Sequence, residues 1–241
     1  MKAIFKREFK SYFTSAGGYL FLGIFLLAMG ISFVGDISKS FTYYQYPTTA
    51  MKTLFRSMPL LLSIMIPLIT MGSFADEKKH KTDQLLLTSP NSVTSIVFGK
   101  FFGSFSFVAV CLATTLLYVA VFCIYGTPNL MLTVLAYLAV ILMAALYTAI
   151  GIFFSSLTES SLIAAIIGVV TFAVLYFFGG FVNLPVLPKV VSNVLSVVDI
   201  TKYYNMFYSE LLSPQPFVYF ISLTGLFLFL TVRVIEARRW K

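Results

Sequence analysis

The sequence predicts an all-α integral membrane protein with six transmembrane helices in a single domain, residues 1–241. Hydrophobic residues make up 59% of the chain, charged residues only 11%, and the mean hydropathy is +0.92. Because a soluble domain carries about 25% charged residues, so much apolar surface suits lipid. The apolar runs are continuous and lack the alternating pattern of a membrane β-barrel. Helices are therefore expected, since backbone groups in lipid need partners within their own segment.

The chain begins with a predicted interfacial helix, residues 1–16. Its aromatic residues fall on one helical face and its basic residues lie elsewhere around the wheel. The aromatic residues are Phe5, Phe9, Tyr12 and Phe13. Such a helix is expected to point its rings toward the acyl chains and its basic groups toward anionic headgroups. The alternative is an ordinary basic flank with incidental aromatic residues.

Six apolar segments follow, each long enough to cross about 30 Å of hydrocarbon at about 1.5 Å per residue. They are residues 17–34, 55–74, 97–125, 130–154, 162–182 and 217–235. The first has about 18 residues, more than the roughly 7–15 of a signal peptide, so we interpret it as a retained helix. The third and fourth exceed the minimum length and are expected to tilt or to extend past the headgroups.

The connection before the last span, residues 183–216, is predicted to be an outer segment. It contains a short apolar stretch, residues 190–198, that cannot cross a bilayer. A re-entrant element that dips in from the outer side and an amphipathic surface helix both fit this stretch. The other outer loop, residues 36–54, is short and rich in tyrosine, as in an aromatic belt.

The basic residues predict the orientation. With both termini inside, the inner segments hold 12 of the 17 Lys and Arg residues, which predicts that both termini are cytoplasmic. The net charge of +8 is explained by these flanks rather than by nucleic-acid binding. Ionisable residues deep within the spans are nearly absent, which disfavours a proton-driven or sodium-driven secondary transporter.

The sequence offers no catalytic or metal-binding motif. His80 is the single histidine, and no Cys, His or carboxylate set surrounds it at metal-ligand spacing. Cys111 and Cys123 lie about 18 Å apart along one predicted helix, too far for a disulfide. The Gly99–Lys100 pair is followed by Phe101 and lacks the remainder of a nucleotide-binding loop. We therefore expect neither an enzyme nor a chain that binds a cofactor or metal itself.

The most polar stretch of the chain lies between the second and third spans, within residues 75–97. We expect a short helix at the cytoplasmic surface that a partner protein can bind. Pro90, with Asn91 and Ser92, is expected to end this helix and to cap the start of the third span.

Several short motifs lie in and around this stretch and later in the chain: residues 67–71 (PLITM), 74–77 (FADE), 82–90 (TDQLLLTSP), 97–100 (VFGK), 151–158 (GIFFSSLT) and 238–240 (RRW). They resemble those of the ABC-2 type permeases, most closely the branch associated with gliding motility and nitrous oxide reductase. The chain departs from that pattern at four positions: Gly72 replaces Arg, Asp76 and Gln84 replace Glu, and Lys81 replaces Gly.

The resemblance implies a six-helix permease subunit of an ATP-binding cassette exporter, with an interfacial helix, a coupling helix and a re-entrant element before the last span. It implies two separate ATPase subunits, which would carry the ATP and Mg²⁺, and a second permease chain, identical or paralogous. The expected ATPase-coupling residues are Asp76, Glu77, Lys78, Lys79, Thr82, Leu85, Leu86, Leu87 and Pro90. The charged residues would make charge-assisted contacts, and the leucines would fill an apolar groove.

Small residues indicate where two permease chains would meet. The first span offers Gly23 and Gly30 as the predicted dimer interface. The fifth span, with Ala164, Ala165 and Gly168, is the rival surface, and packing within one subunit is the alternative for both.

The substrate of such an exporter is expected to be apolar or amphipathic, because a path here would be lined by aromatic, hydroxyl and Met side chains. Two alternatives remain: a membrane subunit that transmits force without transport, and a secondary transporter.

Overall fold

The computed structural model describes residues 1–43, 47–82, 92–125, 129–182, 196–207 and 214–239, and these residues form ten helices. In chain order they are α1 (Lys2–Thr14), α2 (Ala16–Tyr43), α3 (Pro47–Thr70), α4 (Gly72–Lys79), α5 (Val93–Thr114), α6 (Leu116–Tyr125), α7 (Leu130–Leu157), α8 (Ser161–Val182), α9 (Ile200–Met206) and α10 (Gln215–Arg239).

Six candidate membrane spans occur in this part of the chain, as the sequence predicts. They are Ala16–Gly35, Leu54–Lys79, Val93–Ile124, Leu130–Leu157, Ser161–Gly180 and Gln215–Arg238. The chain is therefore an all-α, multi-pass membrane protein.

The boundaries around the polar stretch differ from the expectation. The second span continues through α4 to Lys79 rather than ending at position 74, because α4 follows α3 after a single turn residue, Met71. The third span begins at Val93 rather than at position 97. Its cap is confirmed, since the Ser92 side chain accepts a hydrogen bond from the backbone N–H of Ser95.

α7 forms the centre of the bundle and packs against α3, α8 and α10. Small residues on α7, among them Ala139 and Ala144, are fully buried and let neighbouring helices approach closely. Gly151 is an extreme case, because a Cβ there would collide with the Thr70 side chain of α3. Tyr147 stacks on Phe172 of α8 at a centroid distance of 4.3 Å.

One end of the bundle gathers most of the polar contacts, and we refer to it as the α4 end. Arg7 of α1 contacts Glu77 of α4, and Lys78 of α4 contacts the last turn of α7. Arg238 of α10 donates to the carbonyl of Leu157 at 3.5 Å. α1, α4 and the carboxyl-terminal ends of α7 and α10 therefore meet at this end.

The opposite end holds α9, a short helix that the sequence analysis did not predict. Asp199 caps it by accepting from the backbone N–H groups of Thr201 and Lys202. Tyr204 donates to the carbonyl of Phe55 at 2.8 Å, which fastens α9 to the start of the second span. Most of the predicted apolar stretch 190–198 lies outside the described residues, and positions 196–198 form a turn.

Candidate coupling site

Lys100 lies at the centre of the α4 end. Its side chain is only 1% exposed, and its ammonium donates to Glu8 Oε1 at 2.7 Å, Glu77 Oε1 at 2.9 Å and the Ser73 carbonyl at 2.6 Å. Three acceptors match the three donors of an ammonium group. The Phe74 ring adds a cation–π contact, with Lys100 Nζ 4.9 Å from the ring centroid. One buried cation thus connects α1, α4 and α5.

Arg7 completes this ion cluster from the outside. Its guanidinium is 2.8 Å from Glu77 Oε1 and 3.5 Å from Glu8 Oε1. Glu8, Glu77, Arg7 and Lys100 together carry no net charge, which offsets the cost of burying them. Since Arg7 is 58% exposed, its contribution is weaker than that of the buried Lys100.

Two glycines on α5 form the surface on which α1 packs. A Cβ on Gly99 would lie 2.9 Å from Ile4 Cγ2, and a Cβ on Gly103 would lie 2.6 Å from Glu8 Cβ. The four-residue spacing on α5 matches the spacing of Ile4 and Glu8 on α1, so one face of each helix meets the other. This close approach brings Glu8 to Lys100.

Tyr12 anchors the other end of α1. Its ring stacks on Phe107 at a centroid distance of 5.0 Å, and its hydroxyl lies 2.9 Å from Ser104 Oγ. Burial raises the pKa of the Tyr12 phenol, the Ser104 hydrogen bond opposes this rise, and the Glu8 carboxylate adds to it. The expectation that this ring faces the acyl chains is wrong, because it packs on α5.

Ser155 of α7 holds the start of α4. Its Oγ accepts from the backbone N–H groups of Phe74 at 3.0 Å and Ala75 at 3.1 Å, and donates to the Met71 carbonyl at 2.7 Å. These N–H groups belong to the first turn of α4, where intrahelical acceptors are missing. A side chain from another span thus acts as the cap.

Lys78 of α4 in turn caps the carboxyl-terminal end of α7. Its ammonium donates to the carbonyls of Ser156 and Thr158. The last carbonyls of a helix lack intrahelical donors and favour a cation. The start of α4 and the end of α7 therefore cap each other.

The structure divides the predicted coupling residues into two groups. Glu77 and Lys78 are half-buried and bind other parts of this chain. Asp76, Lys79 and Thr82 are exposed. The remaining predicted residues lie outside the described part of the chain: Leu85, Leu86, Leu87 and Pro90.

The turn after α4 contains Lys81, one of the departures from the resembling pattern. Lys81 has φ 56°, the only positive φ at a non-glycine position among the described residues. Glycine adopts this region without strain, whereas a Cβ is disfavoured there. Lys81 thus adopts a conformation that suits glycine, the residue of the resembling pattern at this position, and the backbone N–H of Thr82 then donates to the Glu77 carbonyl at 2.9 Å.

The two glycines of the predicted dimer interface differ in their surroundings. A Cβ on Gly23 would meet nothing within 4 Å, whereas one on Gly30 would lie 3.4 Å from the Tyr118 hydroxyl of the same chain. On the rival fifth span, Ala164 and Ala165 are buried, and a Cβ on Gly168 would lie 2.9 Å from Pro67 Cβ. The small residues of the fifth span therefore pack within the subunit, while no residue of the described part of the chain lies against Gly23.

Sequence reasoning missed Lys100, Glu8 and Ser155. In the sequence, Lys100 was noted only in an incomplete nucleotide-binding loop and in the motif at residues 97–100, yet the residue lies within the third span, Val93–Ile124. A signal was present, because a lysine seven positions into an apolar helix needs a partner in lipid. Glu8 is the only acidic residue of α1 and was the available candidate.

The fold and this site define a multi-pass membrane protein. In its described part, the ion pairs between helices lie at the α4 end. The chain matches the model for an ABC-2 family transporter protein over residues 2–235 and belongs to that family. No curated protein matches it. The chain is thus the membrane component of an ABC transporter, which works with ATPase partners and is not itself the ATPase.

Proposed function

We propose that this chain is the permease subunit of a bacterial inner-membrane exporter, with both termini and the α4 end on the cytoplasmic side. The observation that carries the proposal is the ion cluster around Lys100, in a chain that belongs to the ABC-2 family. It joins α4 to both α1 and α5, so movement of α4 is transmitted to two other helices at once.

The proposed partners are two ATPase subunits, which hold ATP and Mg²⁺, and a second permease chain that packs along the first span near Gly23. The ATPase would contact the exposed residues Asp76, Lys79 and Thr82 and the leucines at positions 85–87. Glu77 and Lys78 would act from within, because they fasten α4 to α5 and α7. Closure of the two ATPases on ATP would tilt α4 and shift the bundle.

The motif at residues 82–90 supports the branch associated with gliding motility and nitrous oxide reductase as the nearest relatives. The substrate is proposed to be apolar or amphipathic, since the bundle core is built largely of aromatic and aliphatic side chains.

Changing Leu85 and Leu86 together to Asp tests the ATPase contact. Unpaired carboxylates buried at a protein contact cost several kcal/mol, so co-purification of the ATPase should fall by at least about 100-fold. The matched control places Asp at Leu130 and Met131, which are exposed at the start of α7, at the opposite end. Undiminished co-purification from the first variant would reject the coupling site.

Native mass spectrometry of the wild-type complex tests the stoichiometry of two permeases and two ATPases. A single permease for each ATPase pair would reject the dimer. Substrate movement during ATP turnover in liposomes tests export. Turnover that responds to a bound partner but moves no substrate would favour the force-transmitting alternative.

A further inference from the structure

A cavity of about 880 Å³ lies at the α4 end, between α1, α2, α3 and α4. Its size falls within the range of about 300–1,000 Å³ typical of sites for one small molecule. One part of its lining is polar and the other apolar. The ion cluster borders the polar part.

The apolar part opens toward the membrane. Leu20 and Ile24 of α2 and Leu68 of α3 line the cavity and are 65%, 45% and 44% exposed. On a membrane-spanning helix, exposed apolar side chains face lipid. An alkyl chain can therefore lie along these walls without leaving the hydrocarbon.

The polar part contains a buried hydroxyl group without a partner among the described residues. Ser73 lines the cavity and is 6% exposed, and its Oγ makes no hydrogen bond with any of them. Glu77 also lines the cavity, and its Oε2 is buried without a partner in the same part of the chain, while Oε1 binds Lys100 and Arg7. Buried polar atoms are almost always satisfied, so both atoms indicate a missing ligand group.

The charge of the lining indicates the kind of group. Three acidic side chains (Glu8, Asp76 and Glu77) and two basic ones (Arg7 and Lys100) border the cavity. The basic groups are paired with Glu8 and Glu77, whereas Asp76 makes no ion pair with any described residue. The unbalanced charge of the lining is therefore negative, and Asp76 lines the same cavity as Ser73 and Glu77.

We propose that this cavity binds an amphiphile with an amine headgroup, which enters from the membrane leaflet on the α4 side. The ammonium group lies against Asp76 and Glu77 Oε2, and donates to Ser73 Oγ. The alkyl chain lies between α2 and α3. This inference deepens the proposed function by naming a substrate class and its site, and the binding itself needs neither ATP nor export.

The test uses the whole complex in nanodiscs and two photoreactive probes. One is hexadecylamine with a diazirine on its chain, and the other is hexadecanoic acid with the diazirine at the same position. The amine should label the α2 and α3 peptides that contain Leu20, Ile24 and Leu68, at a concentration at least about ten-fold lower than the acid, because the site favours a cation.

Two variants address the headgroup, each with a matched control. Ser73→Ala and Asp76→Asn should each lower amine labelling by about ten-fold. Ser222→Ala, on the exposed face of α10, and Glu159→Gln, between α7 and α8, should leave it unchanged. Equal labelling by both probes would overturn the headgroup site. Amine labelling that is unchanged in Ser73→Ala and Asp76→Asn would also overturn it.

A third pair addresses the alkyl chain. Leu68→Trp should fill the apolar part and abolish labelling, whereas Leu226→Trp on α10, a position 50% exposed, should not. A second permease chain is the competing occupant of the cavity. If Ile24→Cys crosslinks two permeases and neither probe labels the cavity, a second copy covers it and the proposal fails.

Co-purification of the ATPase is recorded in every sample. In the wild-type complex, absence of the ATPase with amine labelling intact would count against the proposed function alone. In the same complex, absence of amine labelling with the ATPase retained would count against this site alone.

Discussion

Lys100 shows how one residue can connect three helices. It is a lysine in the middle of an apolar run, and its burial is tolerated because two carboxylates and a carbonyl accept all three of its N–H donors. Removing one member of a buried ion pair costs more than replacing the whole pair, since an uncompensated charge is left behind.

We therefore expect Lys100→Met to lower the stability of the purified permease by about 3–5 kcal/mol, because Glu8 and Glu77 are left facing each other. Thermal unfolding in detergent is the measurement. The triple variant with Glu8→Gln and Glu77→Gln added should recover most of the loss. Lys79→Met, at an exposed position, serves as the control. A Lys100→Met protein as stable as the wild type would show that the ion cluster does not stabilise the packing of α1, α4 and α5.

Lys81 gives a second prediction at this scale. Lys81→Gly should raise the stability of the isolated permease by up to about 1 kcal/mol, since the left-handed conformation no longer opposes a Cβ. This corresponds to about 2–4 °C in melting temperature for a chain of this size.

The same change at Lys79, the last residue of α4, should have the opposite sign and cost up to about 1 kcal/mol, because glycine disfavours a helix. If both variants lose stability, the Lys81 turn is not strained.

At the scale of elements, α1 depends on α5 for its position. Because Gly99 and Gly103 have no side chains, the two helices come close enough for Glu8 to reach the buried Lys100 of α5. α4 depends in the same way on α7, through Ser155 and Lys78. Neither helix is long enough to be stable alone in water, so their neighbours hold both in place.

Gly103→Ala should displace α1, because the new Cβ would lie 2.6 Å from Glu8 Cβ and overpacking costs about 1–3 kcal/mol. Hydrogen exchange of the Lys2–Thr14 amides should become faster, while exchange in α7 stays slow. Gly225→Ala on α10 is the matched control, since nothing lies within 4 Å of a Cβ there. Unchanged protection of the α1 amides in the Gly103 variant would contradict the close contact between α1 and α5.

At the scale of the whole molecule, the ion pairs between helices of the described part of the chain all lie at the α4 end. The α4 end holds α1, α4 and the basic end of α10, and the opposite end holds α9. This arrangement agrees with the distribution of basic residues in the sequence, and both favour a cytoplasmic α4 end.

Single cysteines at Ser40 and Lys81, in a chain with Cys111 and Cys123 replaced, test this orientation. An impermeant thiol reagent applied to intact cells should label position 40 and spare position 81, because the two ends of the bundle face different compartments. Labelling of both positions after the membrane is permeabilised is the control. Labelling of 81 without 40 in intact cells would reverse the topology.

The sequence by itself determined the six spans, the helical class, the Ser92 cap and the polar segment after the second span. These features depend on the length and composition of contiguous runs, so they can be predicted locally. Only the tertiary structure decided the partners of Lys100, the division of the coupling residues and the role of Ser155. Glu8 and Lys100 are 92 positions apart, and Phe74 and Ser155 are 81 apart. Contacts between residues so distant along the chain are set by how the helices pack, which no local pattern records.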